Sequence, residues 1–392
     1  MNKNFILALS ASSFVALSFL FSENENKSLR ISFKYKNRDS ALVYFSKGNT
    51  ATDLHDYPFA VSCFSKAILL DSGMVPAFLN RAFAETQLLD YKSALADYNY
   101  LLRLQLTWEE SFEVYFNKGL AMASLKNLAS AMADFNHAIQ INPENADAYY
   151  NRSIVKGRIG DYPGELKDIN KVISLKPFDS LAYNSRGIVK AMLKNDTGAI
   201  RDFTLSIQFG KGNANAYFNR AVVQYGLNHY REALDDFTFV LALKPDAETY
   251  NRRANVRYRL NDVQGASEDY NSALKNDPGN FITYLNRGIL KYNLKEYKAA
   301  IEDFNVSLQL KPDFSEAYYN RAMTRGKLKD HKGEIADYSA AIEFEPNYES
   351  AYYQRGIARY ATDDKKGGCE DLGRAVKLGS DTAYVLLIKN CK

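Results

Sequence analysis

Between residues 315 and 346, apolar side chains recur twice at the spacing of an α-helix. Tyr318, Ala322, Arg325 and Leu328 share one stripe, and Ile335, Tyr338, Ala341 and Ile342 share a second, which predicts two helices. Lys329-Asp330-His331-Lys332-Gly333 between them reads as a turn, and Pro346 closes the block where a helix does not readily continue. The block occurs ten times, with aligned copies starting at Val43, Ala77, Val114, Ala148, Ala182, Ala216, Thr249, Thr283, Ala317 and Ala351. The starts lie 34 residues apart, save for a three-residue insertion before Val114 and a one-residue deletion before Thr249. Such a period predicts a solenoid, because no single helix hairpin buries its apolar face alone and stacked neighbours share one core. Residues 43–384 leave no room for a separate catalytic domain.

Small residues recur in each predicted first helix, among them Gly48, Ala82, Gly119, Gly187, Ala221, Gly288 and Ala322. Ala60, Ala94, Ala131, Ala199, Ala233, Ala266 and Ala300 hold a matching site in the second helices. Aromatics follow four residues later, at Phe64, Tyr98, Phe135, Phe203, Phe237, Tyr270 and Phe304, so small is set against large at each expected contact. This pattern, with Pro143, Pro177, Pro245, Pro278, Pro312 and Pro346 closing units, resembles the tetratricopeptide-repeat family. The likeness is to its Asn-Arg-Gly variety, since the residue before the small one is Arg or Lys in every copy. The resemblance implies an all-α, right-handed α-α superhelix of about ten hairpins, spanning 43–380, with the last repeat running 351–384 into a capping helix at 381–392.

The basic column has an acidic counterpart. Arg81, Lys118, Arg152, Arg186, Arg220, Arg253, Arg287, Arg321 and Arg355 lie sixteen residues before Asp97, Asp134, Asp168, Asp202, Asp236, Asp269, Asp303, Asp337 and Asp371. The spacing predicts ion pairs inside the hairpins, with Lys47 facing Cys63 as the exception. A second basic column, Lys156, Lys190, Arg257, Lys291, Arg325 and Arg359, is the better candidate for a functional basic stripe. Asn80, Asn117, Asn151, Asn219, Asn286 and Asn320 precede the first column. In tetratricopeptide repeats the first helices line the concave groove, and this Asn column is similar to that of the O-GlcNAc transferase superhelix, where it holds peptide backbone. One amide both donates and accepts, which suits a ligand backbone whatever its side chains are. Tyr225, Tyr292 and Tyr360 lie on the same face and complete the expected peptide-binding set.

Lys3, the apolar run Phe5–Phe21 and the polar stretch after it read as a signal peptide or membrane anchor over 1–22. That reading expects the protein to be exported, periplasmic or secreted, or held on a membrane by this segment alone. Residues 23–42 read as a polar linker. If the closing helix folds back over the last repeat, Cys369 and Cys391 can meet, so a disulfide and two free thiols are alternative readings. His55, His137, His229 and His331 are scattered over different repeats without metal-ligand spacing, and no catalytic constellation or cofactor motif emerges. Thr107 with Glu110 has capping-box spacing, and Trp108 is expected to cover the seam there. A net charge of +4, from 50 basic and 46 acidic residues, gives no strong field for nonspecific nucleic-acid binding. The expectation is a noncatalytic scaffold or adaptor that binds a protein or peptide in its concave groove. The alternatives are an envelope assembly or carrier factor, and a polyanion or nucleic-acid binder using the second basic column.

Overall fold

The computed structural model describes residues 25–210 and 212–391, with residues 25–37 as backbone only. The described residues form twenty-one α-helices and no strand, in two compact units divided between Ile159 and Gly160. Unit one holds α1 (Glu25–Asp53), α2 (Tyr57–Leu70), α3 (Val75–Gln87), α4 (Tyr91–Leu101), α5 (Trp108–Ser124), α6 (Leu128–Ile141) and α7 (Ala146–Arg158). Unit two begins with α8 (Tyr162–Leu175), α9 (Ser180–Met192), α10 (Asp196–Phe209), α11 (Ala214–Gly226), α12 (Tyr230–Leu243), α13 (Ala247–Arg259) and α14 (Val263–Asn276). It continues with α15 (Phe281–Asn293), α16 (Tyr297–Leu310), α17 (Ser315–Lys327), α18 (His331–Phe344), α19 (Glu349–Ala361), α20 (Lys365–Lys377) and α21 (Asp381–Asn390). Odd-numbered helices up to α19 are the predicted first helices and even-numbered ones the second. The fourth repeat gives α7 to unit one and α8 to unit two.

Each hairpin turns on a residue in the left-handed region, such as Leu89 at φ 63° and Lys126 at φ 61°. An Asp or Asn then caps most second helices, as Asp90 does by accepting from the Ser93 N–H. The small-against-large contact is real and tight. A Cβ on Gly187 would lie 2.6 Å from Phe203, and one on Gly288 would lie 2.6 Å from Phe304, so a larger residue at either position would force the ring to shift. Those phenylalanines, with Phe64, Phe135 and Tyr338, are fully enclosed.

Three features depart from the pattern. Residues 25–42, read as part of a linker, lie in the 29-residue helix α1, a stretch in which no proline interrupts the backbone. The insertion after α4 leaves that helix 11 residues long, and α5 starts at Trp108 on the Thr107–Glu110 capping box. Trp108 is 61% exposed and therefore does not seal the seam. At the other end α21 packs Ala383, Leu386, Leu387 and Cys391 against Leu372, Ala375 and Val376, and a Cys369–Cys391 disulfide ties it to α20 with Cα atoms 5.7 Å apart. Cys63 is a buried free thiol. No helix among the described residues is long and apolar enough to cross a membrane, and the apolar run Phe5–Phe21 lies outside them.

Candidate functional site

The first charged column was expected to pair inside the hairpins, and the second was the candidate for a basic stripe; the structure turns both of them inward. In unit two, Nε and Nη2 of Arg186, Arg220, Arg253, Arg287, Arg321 and Arg355 grip both carboxylate oxygens of Asp202, Asp236, Asp269, Asp303, Asp337 and Asp371 at 2.7–2.9 Å. In unit one Arg81 holds Asp97 in the same way, at 2.8 and 2.7 Å. Arg152 and Asp168 fall in different units. Each guanidinium also lies over the aromatic ring three residues before it, at 5.2–5.8 Å from Phe78, Tyr149, Tyr183, Tyr217, Tyr250, Tyr284, Tyr318 and Tyr352.

The remaining nitrogen of the fork has a use that sequence reasoning missed. Nη1 donates back to the second helix of the preceding hairpin. Its acceptors are Ser65 for Arg81, Asn136 for Arg152, Asn170 for Arg186, Thr204 for Arg220, Thr238 for Arg253, Asn271 for Arg287, Asn305 for Arg321 and Ser339 for Arg355, at 2.7–3.2 Å. One planar side chain thus fastens its own hairpin and the joint to the one before.

The second basic column, read as a functional stripe, meets the same carboxylates. Lys190, Arg257, Lys291, Arg325 and Arg359 reach Oδ2 of Asp202, Asp269, Asp303, Asp337 and Asp371 at 2.7–3.0 Å, so each of these Asp residues sits between two cations. Cations neutralised in this way offer little to a polyanion, which removes the support for that alternative. Three positions break the scheme. Lys118 makes a single 2.9 Å contact with Asp134 Oδ1 and leaves Oδ2 buried without a partner. Gln224 takes the place of the second cation in α11, with its Oε1 buried and unpartnered. Glu85 takes it in α3, and its Oε2 is likewise orphaned. Burial, followed by the nearby Asp97, pushes the Glu85 carboxyl up to about 7, with Arg81 opposing.

The first-helix face is the remaining candidate. Within each unit several neighbouring first helices touch, as α3 does with α5 and α15 does with α13 and α17, whereas among the described residues no two neighbouring second helices approach to that extent. The first helices therefore lie on the inner side of the curve within each unit. The Asn column lies on them, half-buried, and each amide with a bond spends one N–H on the fold. Asn80 donates to Asn49, Asn219 to Asn184 and Asn286 to Asn251, at 2.8–3.1 Å, in each case across to the preceding first helix. Asn151 and Asn320 donate to the carbonyls of Asp147 and Glu316 in their own helices. A second N–H and the carbonyl of each remain for another task. Asn117 is half-buried in α5. Val222, Ile289 and Met323 follow the Asn residues at i+3 and add a half-buried aliphatic row.

The tyrosines are only partly available. Tyr225 and Tyr292 pack on Tyr230 and Tyr297 with centroids 5.6 and 5.7 Å apart, and Tyr360 donates to the Asn390 carbonyl at 3.4 Å. Among the described residues no group of three or more His, Cys, Asp or Glu is arranged to hold a metal ion.

Models of the family described as tetratricopeptide repeat match residues 112–145, 218–281, 251–313 and 315–348. No curated protein matches the chain. Among solved structures, the APC/C hetero-tetramer Cut9–Hcn1 is similar at 15% identity and a TM-score of 0.51, covering 90% of this chain and 76% of that one. Yeast Tom70 is similar at 14% identity and 0.47, covering 90% and 94%. YrrB, described as a TPR protein with an unusual peptide-binding site, is similar at 17% identity and 0.40, covering 47% and 95%. At such identities the likeness concerns the fold alone. With the 34-residue period, the matching repeats and the hairpin packing in agreement, this chain belongs to the tetratricopeptide-repeat family.

Proposed function

We propose that the chain is a noncatalytic scaffold that binds an extended polypeptide along the first-helix face of unit two. The observation that carries this reading is the pairing, on that inner face, of amides keeping a free N–H and carbonyl (Asn219, Asn286, Asn320) with the aliphatic row Val222, Ile289 and Met323. Such a surface bonds a peptide backbone without reading its sequence and favours apolar side chains beside it. The proposed setting is exported or membrane-tethered, on the strength of Lys3 and the Phe5–Phe21 run. An envelope assembly or carrier role differs from this reading only in the partner.

The test is binding of an array of extended peptides to the full chain and to the triple variant Asn219→Ala, Asn286→Ala, Asn320→Ala, with thermal unfolding followed in parallel. Each lost hydrogen bond is worth about 0.5–1.5 kcal/mol, so binding should weaken at least about tenfold. Unweakened binding by a folded triple variant would place the partner on another face.

A further inference from the structure

Helix α21 is built as the first helix of an eleventh hairpin. Aligning its buried Ala383 with Ala351 of α19 puts Ile388 at the position of Gly356, the residue that meets the Gly368 carbonyl and Leu372 of its own second helix α20. Inward, Ala383, Leu386 and Leu387 pack on the last hairpin. Outward, Asp381, Tyr384, Val385 and Ile388 form one stripe at helical spacing, and among the described residues nothing covers it. Tyr384, Val385 and Ile388 are 54%, 65% and 55% exposed. A helix that caps a solenoid normally carries a polar outer face, and the outward stripe of α21 is apolar. In hairpins lying within one unit the same stripe seats the antiparallel second helix, as Phe218 does against Phe237 and Tyr319 against Tyr338.

We propose that this seat is filled by α21 of a second copy of the chain, in a two-fold antiparallel pair. The charge pattern selects that occupant and that direction. Exposed Asp381 and Lys389 lie four residues either side of Val385. An antiparallel pair centred on Val385 sets each Asp381 opposite the other copy's Lys389, twice over, whereas a parallel pair sets like charges together. Ile388, in place of the usual small residue, holds the two helices further apart than a hairpin allows and fills the space between them with Val385 and Tyr384. A ten-residue helix offers less than the roughly 1,200 Å² of a stable interface, so the dimer is a transient one.

Sedimentation equilibrium of the full chain over a concentration series is the test. The mass should rise from 44.3 kDa towards twice that value. Ile388→Lys should hold the chain monomeric, and Asp381→Lys or Lys389→Asp alone should weaken association at least about tenfold, since each places like charges together at two points. An equimolar mixture of the two charge variants restores both opposite-charge contacts and should associate as the parent does. A mass that stays at 44.3 kDa, a dimer indifferent to Ile388→Lys, or a mixture that fails to recover would each overturn the proposal.

Discussion

Lys118 is the one residue of the first basic column, among the pairs lying within a unit of the fold, that does not form a fork, and replacing it should show what the fork is worth. Its ammonium touches only Oδ1 of Asp134, at 2.9 Å, while Oδ2 is buried and unpartnered. In the sibling hairpin α17–α18 the Arg321 guanidinium bonds both oxygens of Asp337, at 2.7 and 2.9 Å. Lys118→Arg should therefore add one charge-assisted hydrogen bond and satisfy a buried acceptor, together worth about 1.5–3 kcal/mol. The two side chains carry similar rotamer entropy, so ordering takes back little of this gain. The third nitrogen should gain less, because the insertion before α5 disturbs the register in which the preceding second helix would supply an acceptor. A net stabilisation of about 1–2 kcal/mol follows, which amounts to roughly 5- to 30-fold slower amide exchange across α5 and α6. Native-state hydrogen exchange resolves these helices and suits a chain with two units better than one global unfolding curve. Asp134→Asn should also cost less than Asp337→Asn, because less is lost from a half-made pair. If Lys118→Arg exchanges as fast as the parent or faster, or if the two Asn variants cost the same, the orphaned oxygen carries no energetic weight and the reasoning fails.

Two further outcomes are expected. In the folded chain the Glu85 carboxyl titrates near 7, above its ordinary 4.5, so between those values the native state holds a proton that the unfolded chain has lost. Stability of α3–α4 should thus fall as pH rises through that window and level off above it; Glu85→Gln should leave stability unchanged near pH 4 and raise it by about 1–3 kcal/mol at pH 8, and an equal effect at both pH values would contradict this. Leu89 is 71% exposed at φ 63°, where a side chain is strained, so Leu89→Gly should stabilise unit one by about 0.5–1 kcal/mol in urea titration, and a loss would show that its side chain packs usefully.

The hairpins were legible because their signals are single-letter columns. Gly or Ala against Phe or Tyr, and Arg sixteen residues before Asp, recur with little variation, and the structure forms these contacts in hairpin after hairpin. The joints between hairpins were not legible. Their acceptors, among them Ser65, Thr204, Asn271 and Ser339, have a side-chain oxygen in common but no single residue type, and lie on a helix the sequence assigns to another repeat. The partners of the second basic column were hidden for a related reason. A row of Lys and Arg looks like a surface until the carboxylate between the two columns is seen to bind both, as Asp337 does with Arg321 and Arg325. The Asn column was placed on the inner helices, but its bonds to Asn184 and Asn251 depend on how far neighbouring first helices stand apart, which periodicity does not encode.

The arginine that bonds both forward and back has a consequence for how such a chain changes length. Any segment cut at one repeat period carries an unused guanidinium nitrogen at its leading end and a hydroxyl or amide to receive one at its trailing end. Whole repeats can then be duplicated or lost by recombination and still meet complementary edges. A shift of three residues, as before α5, spoils the match, and it is there that arginine gives way to Lys118. The joint between α20 and α21 follows a different grammar. Gly373 stands where Ser339 accepts and Leu387 where Arg355 donates, so α20 offers no acceptor and α21 no donor, and a covalent bond between Cys369 and Cys391 takes the place of the stitch.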